Sequence, residues 1–176
     1  MEQQKILSQQ EILKARALHN SVNENNGETI ASTPIAIIKF ALMSQVYAFE
    51  TKYISEVHLI KKITPIPGTP PFVTGVINIR GRIISTINLK ILLQMGERGL
   101  TEQNRLIVLS MNSMYFGIIC DTVLGIFQED HVLMKSPPSN LPQNYLKYIA
   151  GILPDNTILL DAQKLLTSSE IILTKQ

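Results

Sequence analysis

Phe72-Val-Thr-Gly75-Val-Ile-Asn78-Ile-Arg80-Gly81-Arg-Ile-Ile84-Ser-Thr-Ile-Asn-Leu-Lys90 is the stretch that decides the fold class. Two apolar runs, residues 73–79 and 83–89, flank the tetrad Asn78-Ile79-Arg80-Gly81. Val, Ile and Thr dominate both runs, and β-branched side chains pack well on a pleated, half-buried surface. Gly81 can take the backbone angles of a tight reversal, so the stretch predicts a β-hairpin with one cation, Arg80, at its turn.

Upstream of the hairpin, residues 64–71 hold four prolines, which fix φ and remove backbone donors, so a rigid loop leads into it. Residues 35–43 and 46–51 read as a strand pair turning at 44–45. Residues 52–57 are ambiguous, because Ile54 and Val57 stand at the i, i+3 spacing of one helical turn; 58–63 read as strand again. Downstream, 90–95 read as a short helix closing on Gly96. Strands follow at 106–111, 114–120, 123–128, 149–153 and 157–160, then a helix at 162–168. At the amino terminus, residues 2–19 favour a helix with Ile6, Leu13 and Ala17 on one face, and the polar residues 20–34 read as a flexible linker.

The second half repeats the first. Tyr47-Ala-Phe-Glu aligns with Tyr115-Phe-Gly-Ile, and Phe72-Val-Thr-Gly-Val with Tyr148-Ile-Ala-Gly-Ile. Two units of about five short strands each predict two small β-barrels. Neither buries a large core alone, so they should pack together about a shared one. The expected organisation is an amino-terminal helix and linker over 1–34 and a mostly β domain over 35–168, divided into barrels at roughly 35–95 and 105–168.

Composition narrows the function. The chain has 176 residues, a formal charge of +2 and 45% hydrophobic residues, which is globular. Its Lys and Arg are dispersed rather than gathered in a stripe, which argues against nucleic acid. No apolar run approaches the roughly 18 to 20 residues of a membrane helix, the amino terminus lacks a signal-peptide core, and one cysteine forms no internal disulfide. A cytoplasmic protein with no direct membrane insertion is the expectation.

Chemistry-bearing residues are sparse. His19, His58 and His131 show no ligand spacing, so no metal site is expected. Cys120 sits in a strand pattern without a base or an electropositive setting and reads as a small buried hydrophobe. The glycines fit neither a Walker nor a dinucleotide-binding loop, and no cofactor is expected. Glu56 and Asp121 occupy related regions of the two repeats, but nothing marks them as a catalytic pair. The chain therefore reads as a non-enzyme, a rigid frame presenting charges such as Arg80 and Glu56 in an apolar field.

The hairpin, written Pro70-Pro-Phe72-Val-Thr-Gly75-Val-Ile-Asn78-Ile-Arg80-Gly81-Arg-Ile-Ile84, resembles the signature of the CheW family of chemotaxis coupling proteins. The resemblance extends to Tyr47-Ala-Phe-Glu with Ile54-Ser-Glu-Val57, to Gly117-Ile-Ile-Cys-Asp121-Thr-Val-Leu, and to Tyr148-Ile-Ala-Gly151-Ile with Ile158-Leu-Leu-Asp161. It implies two five-stranded, SH3-like β-barrels and no catalysis. The implied partners are the regulatory domain of a CheA-type histidine kinase, which shares the fold, and the cytoplasmic tips of methyl-accepting chemoreceptors. Ile54, Glu56 and Val57 match receptor-groove positions, and Arg80 matches the family arginine, with Asn78 and Gly81 shaping its turn. Where the family usually carries an Asp-Leu-Arg, this chain has Asn88-Leu-Lys90, which should weaken a local contact because Lys lacks the planar fork of Arg. Thr51 stands where the family tends to be apolar. The reading from another class is a small-ligand or nucleic-acid-binding barrel, which would call for a basic stripe with exposed aromatics.

Overall fold

A computed structural model describes residues 34–171, apart from 61, 96–98, 100, 102, 139 and 140. The expected amino-terminal helix and all of its linker but Pro34 lie outside the described residues. Ten strands follow one another: β1 (Ile35–Leu42), β2 (Gln45–Glu50), β3 (Ile54–Leu59), β4 (Val73–Ile79), β5 (Arg82–Asn88), β6 (Arg105–Met111), β7 (Met114–Cys120), β8 (Thr122–Glu129), β9 (Ile149–Ile152) and β10 (Ile158–Leu160). One-turn helices at Leu89–Leu92 and Ala162–Thr167 follow β5 and β10. Asn88 and Asp161 cap them, each accepting a backbone N–H inside its helix, at 3.1 and 2.9 Å.

The strands form two five-stranded sheets, in the orders β8-β1-β2-β10-β9 and β3-β6-β7-β5-β4. The fold is mostly β, as expected, but the sheets do not follow the division into 35–95 and 105–168. Each sheet takes a hairpin from one repeat (β1–β2 or β6–β7) and three strands from the other (β8–β10 or β3–β5). After its hairpin the chain crosses to the other sheet, at 51–53 and again at Asp121, so the repeats are intertwined. Strand alternation reports which face a residue takes but not which edge it joins.

The ladders also move one alignment by a residue. Leu42 opposes Gln45 across the first hairpin, and Met111 opposes Met114 across the second, so Tyr47 corresponds to Phe116 rather than Tyr115. Burial agrees: Tyr47 is 1% exposed and Phe116 4%, whereas Tyr115 is 40% exposed. A one-residue slip in a strand exchanges its faces.

Between the sheets lies the shared core, where Phe40, Tyr47 and Phe49 of one meet Ile107, Leu109 and Ile118 of the other. The Phe40 and Phe49 rings stack with centroids 5.2 Å apart. Each sheet also curls about a small cluster of its own, Ile77, Ile84, Leu106 and Val108 in one and Ile37, Ala48, Leu153 and Leu159 in the other. A two-bond bridge draws the edges together in both. Thr64 and Val76 exchange N–H···O bonds of 2.8 Å in the sheet of β3–β7, as do Lys135 and Ile152 in the other. Among the described residues no helix is long and apolar enough to cross a membrane.

Candidate functional site

The signature hairpin is built as its residues dictate. Ile79 opposes Arg82, leaving Arg80 and Gly81 as a two-residue turn with φ of 51° and 84°. Positive φ at both central positions is the type I′ geometry that matches the twist of paired strands. The Asn78 side chain fixes it, its Oδ1 accepting the Gly81 N–H at 2.9 Å. Arg80 is therefore held outward on a stiff tip, and among the described residues no hydrogen bond or ion pair engages its guanidinium.

Glu56 comes from β3, an edge strand of the same sheet. The ladder with β6 shifts register between Ile54 and Glu56, a β-bulge at Ser55. Ile54 opposes Leu109 and Val57 opposes Ile107, so the extra residue puts Ile54 and Val57 on one face although three positions separate them. The spacing that left 52–57 ambiguous is thus that of a bulged strand, and a 3-10 turn sits just before it, at Thr51–Tyr53. Ile54 packs against the shared core and Val57 emerges 39% exposed. Glu56 opposes Val108, on the other face, at the hairpin end of the sheet.

There Glu56 is clasped. Its Oε1 accepts from Arg82 Nη2 at 2.9 Å and its Oε2 bonds His58 Nε2 at 2.7 Å. The His58 bond, against some opposition from burial, holds the Glu56 carboxyl below its ordinary range, with the charges of Arg80 and Arg82 adding to the effect. Arg82 also lies over the Tyr115 ring, 5.1 Å from its centroid. Of the six expected residues, Asn78, Arg80 and Gly81 share the hairpin tip with Glu56 close enough to feel Arg80, while Ile54 and Val57 lie across β3. Sequence reasoning missed His58, Arg82 and Tyr115. His58 lies two residues from Glu56, on the same strand face, a signal that was available; Arg82 and Tyr115 come from strands whose approach no local pattern announces.

The remaining candidates are structural. Cys120 is fully buried and its thiol is pushed up to about 12, chiefly by burial, so it is no nucleophile at neutral pH. Among the described residues no cluster of His, Cys, Asp and Glu is able to hold a metal ion. Asp121 and Glu56 are not counterparts: the ladders match Glu56 to Gly125, and Asp121 sits at the second crossover, bonded to Lys90 Nζ at 2.5 Å. The Asn88 and Lys90 side chains do not pair with each other, since the Asn88 amide caps the helix and Lys90 pairs with Asp121.

Comparison with known proteins agrees with this geometry. The family model of the CheW-like domain matches residues 36–170. The chain is 29% identical over 145 residues to the chemotaxis protein CheW of Treponema pallidum, covering 77% of this chain and 84% of that protein. It is 27% identical over 158 residues to the chemotaxis protein CheW of Klebsiella aerogenes, covering 87% and 92%. A 64-residue stretch, 36% of this chain and 40% of the relative, is 38% identical to protein FrzA of Myxococcus xanthus. Among solved structures, the scaffolding protein TtCheW of Thermoanaerobacter tengcongensis superposes with a TM-score of 0.69 at 29% identity, covering 78% of this chain and 96% of that one.

Proposed function

The chain belongs to the CheW-like domain family, and from that premise we propose that it is a non-catalytic adaptor coupling chemoreceptors to a CheA-type histidine kinase in chemotaxis or a related motility pathway. The observation that carries this reading is the family match over both intertwined repeats, with the signature hairpin inside it. No comparison supports a barrel that binds small ligands or nucleic acid. The adaptor works in the cytoplasm, at receptor arrays, by holding two partners at fixed geometry. Receptor tips engage Arg80, Asn78 and Gly81 at the hairpin together with Ile54, Glu56 and Val57 of β3. The stiff I′ turn supports this assignment, because a backbone already fixed by the Asn78–Gly81 bond loses little entropy when a partner meets the tip. Affinities on the order of micromolar suit such a switchable interface.

Binding of a receptor cytoplasmic fragment tests the assignment. Arg80→Asn removes the charge but keeps a residue that tolerates positive φ. It should weaken binding by about tenfold to a hundredfold, equivalent to about 1 to 3 kcal/mol, with an unchanged melting curve; Glu56→Ala should weaken binding similarly while also lowering the melting temperature slightly, because it removes the bonds to Arg82 and His58. Normal binding by both variants would show that the receptor uses another surface.

A further inference from the structure

The bridge between Thr64 and Val76 is a single rung of an antiparallel ladder. Extending its register would set Lys62 opposite Asn78, but the two stretches splay apart there. A groove of about 460 Å³ opens between them, lined by Lys62, His58 and Leu59 on one side and Asn78, Ile79 and Arg80 on the other. Alternation fixes what the β4 edge offers. Val76 turns its N–H and C=O outward to Thr64, so Asn78, two residues on, turns its own outward into the groove. No backbone partner meets them among the described residues.

The other barrel shows how such a gap is filled from within. The ladders match Lys39 to Val108, and Asp155 lies at the tip corresponding to Arg80. Lys39 Nζ bonds Asp155 Oδ2 and Glu129 Oε1, both at 2.7 Å, and lies 4.7 Å from the Phe127 ring centroid, so the tip is tied to the end of β8. With Val108 in the place of Lys39, the hairpin is tied to β3 through Arg82 and Glu56 instead, and among the described residues no hydrogen bond or ion pair draws Arg80 itself into that tie. Arg80 and Lys62 are both exposed, and neither makes a direct ion pair among the described residues, although Arg80 lies within the field of Glu56. Among the described residues no carboxylate lines the groove, and the nearby Glu56 is already satisfied by Arg82 and His58.

We propose that this groove binds an extended acidic peptide segment of a partner, added as a strand beside Asn78 with its carboxylates meeting Arg80 and Lys62. Main-chain bonds to an open edge supply affinity and flanking side chains supply selectivity, as in other strand additions. The site shares Arg80 and Asn78 with the receptor surface but opens at the His58–Leu59 end of β3, and Val57 is not in its lining. Lys62 belongs to the groove alone.

Fluorescence anisotropy of the full chain with a labelled hexapeptide alternating glutamate and valine tests the proposal. The peptide should bind, its lysine–valine counterpart should not, and Lys62→Glu should weaken binding by about tenfold or more. Methylating the peptide's backbone nitrogens should abolish binding, and titration should shift the Asn78 amide resonance. Equal binding of the two peptides, or indifference to methylation or to Lys62→Glu, would overturn the proposal. Receptor-fragment binding by Lys62→Glu should be unchanged; its loss would place Lys62 on the receptor surface and overturn the separate site.

Discussion

Replacing Gly75 with alanine is expected to destabilise the protein by about 2 to 5 kcal/mol, from left-handed backbone strain together with overpacking. Gly75 sits at φ 137°, and a Cβ there would lie 2.2 Å from the Thr64 carbonyl oxygen and 2.9 Å from Pro65 Cα. These are backbone atoms of the proline loop whose single bridge closes the barrel, so relief means breaking the bridge between Thr64 and Val76. The loss is a large share of the roughly 5 to 15 kcal/mol that holds a domain folded. Urea denaturation gives the magnitude, and amide exchange at Thr64 and Val76 should accelerate first. Gly81→Ala is the control: at φ 84° with nothing within 4 Å of its Cβ, it carries only the strain, about 1 to 2 kcal/mol. Equal effects of the two substitutions would mean that the close approach at Gly75 is not what demands glycine.

The second large effect is expected at Asp121→Ala, about 3 to 5 kcal/mol, because it strands a buried cation. Lys90 is only 5% exposed and its ammonium bonds Asp121 Oδ1 at 2.5 Å. The same carboxylate accepts the Met43 N–H at 2.7 Å and an Asn104 Nδ2–H at 3.0 Å, and the Asp121 N–H donates to the Ala41 carbonyl at 3.0 Å. One residue at the second crossover thus fastens the β1–β2 turn to elements of the other sheet. Lys90→Met should be milder, since it leaves a partly solvated carboxylate with two donors instead of a buried charge with none. If Lys90→Met proved the more damaging of the two, the stranded cation would not be the cause.

The same node sets an acid limb. Burial pushes the Asp121 carboxyl up, but the bonds from Lys90, Met43 and Asn104 outweigh it and leave the group below its ordinary value of 3.8. A carboxyl depressed in the folded state contributes stability above its unfolded value, and that contribution is lost as pH falls through the lower folded one. Asp155, tied to Lys39, and Glu56 shift in the same direction. Stability should therefore hold from neutral pH to about 5 and decline below about 4. Asp121→Asn should flatten part of that decline.

Local structure was legible where local chemistry decides it. The β4–β5 hairpin was readable from its β-branched runs and Gly81, and β7 has the boundaries its apolar run suggested. What was hidden is long-range. That β3 joins β6 and β8 joins β1 depends on which edges meet in three dimensions, and the two repeats carry similar strands in the same order. The bulge at Ser55 imitates a helical spacing, because it advances the strand's phase by one residue. The six site residues came from a family motif, and the motif carries no information about Arg82, which in this chain holds Glu56 and leaves Arg80 free of an ion pair among the described residues.

Reconstitution separates an adaptor that couples receptors to a kinase from a protein with chemistry of its own. A CheA-type kinase and a receptor cytoplasmic fragment would be combined with radiolabelled ATP, with and without the full chain, and kinase autophosphorylation followed. Receptor control of the kinase should appear only when the chain is present, label should accumulate on the kinase and not on the chain, and Arg80→Asn should remove the control. Receptor control of equal strength without the chain, or covalent labelling of the chain itself, would contradict the adaptor reading.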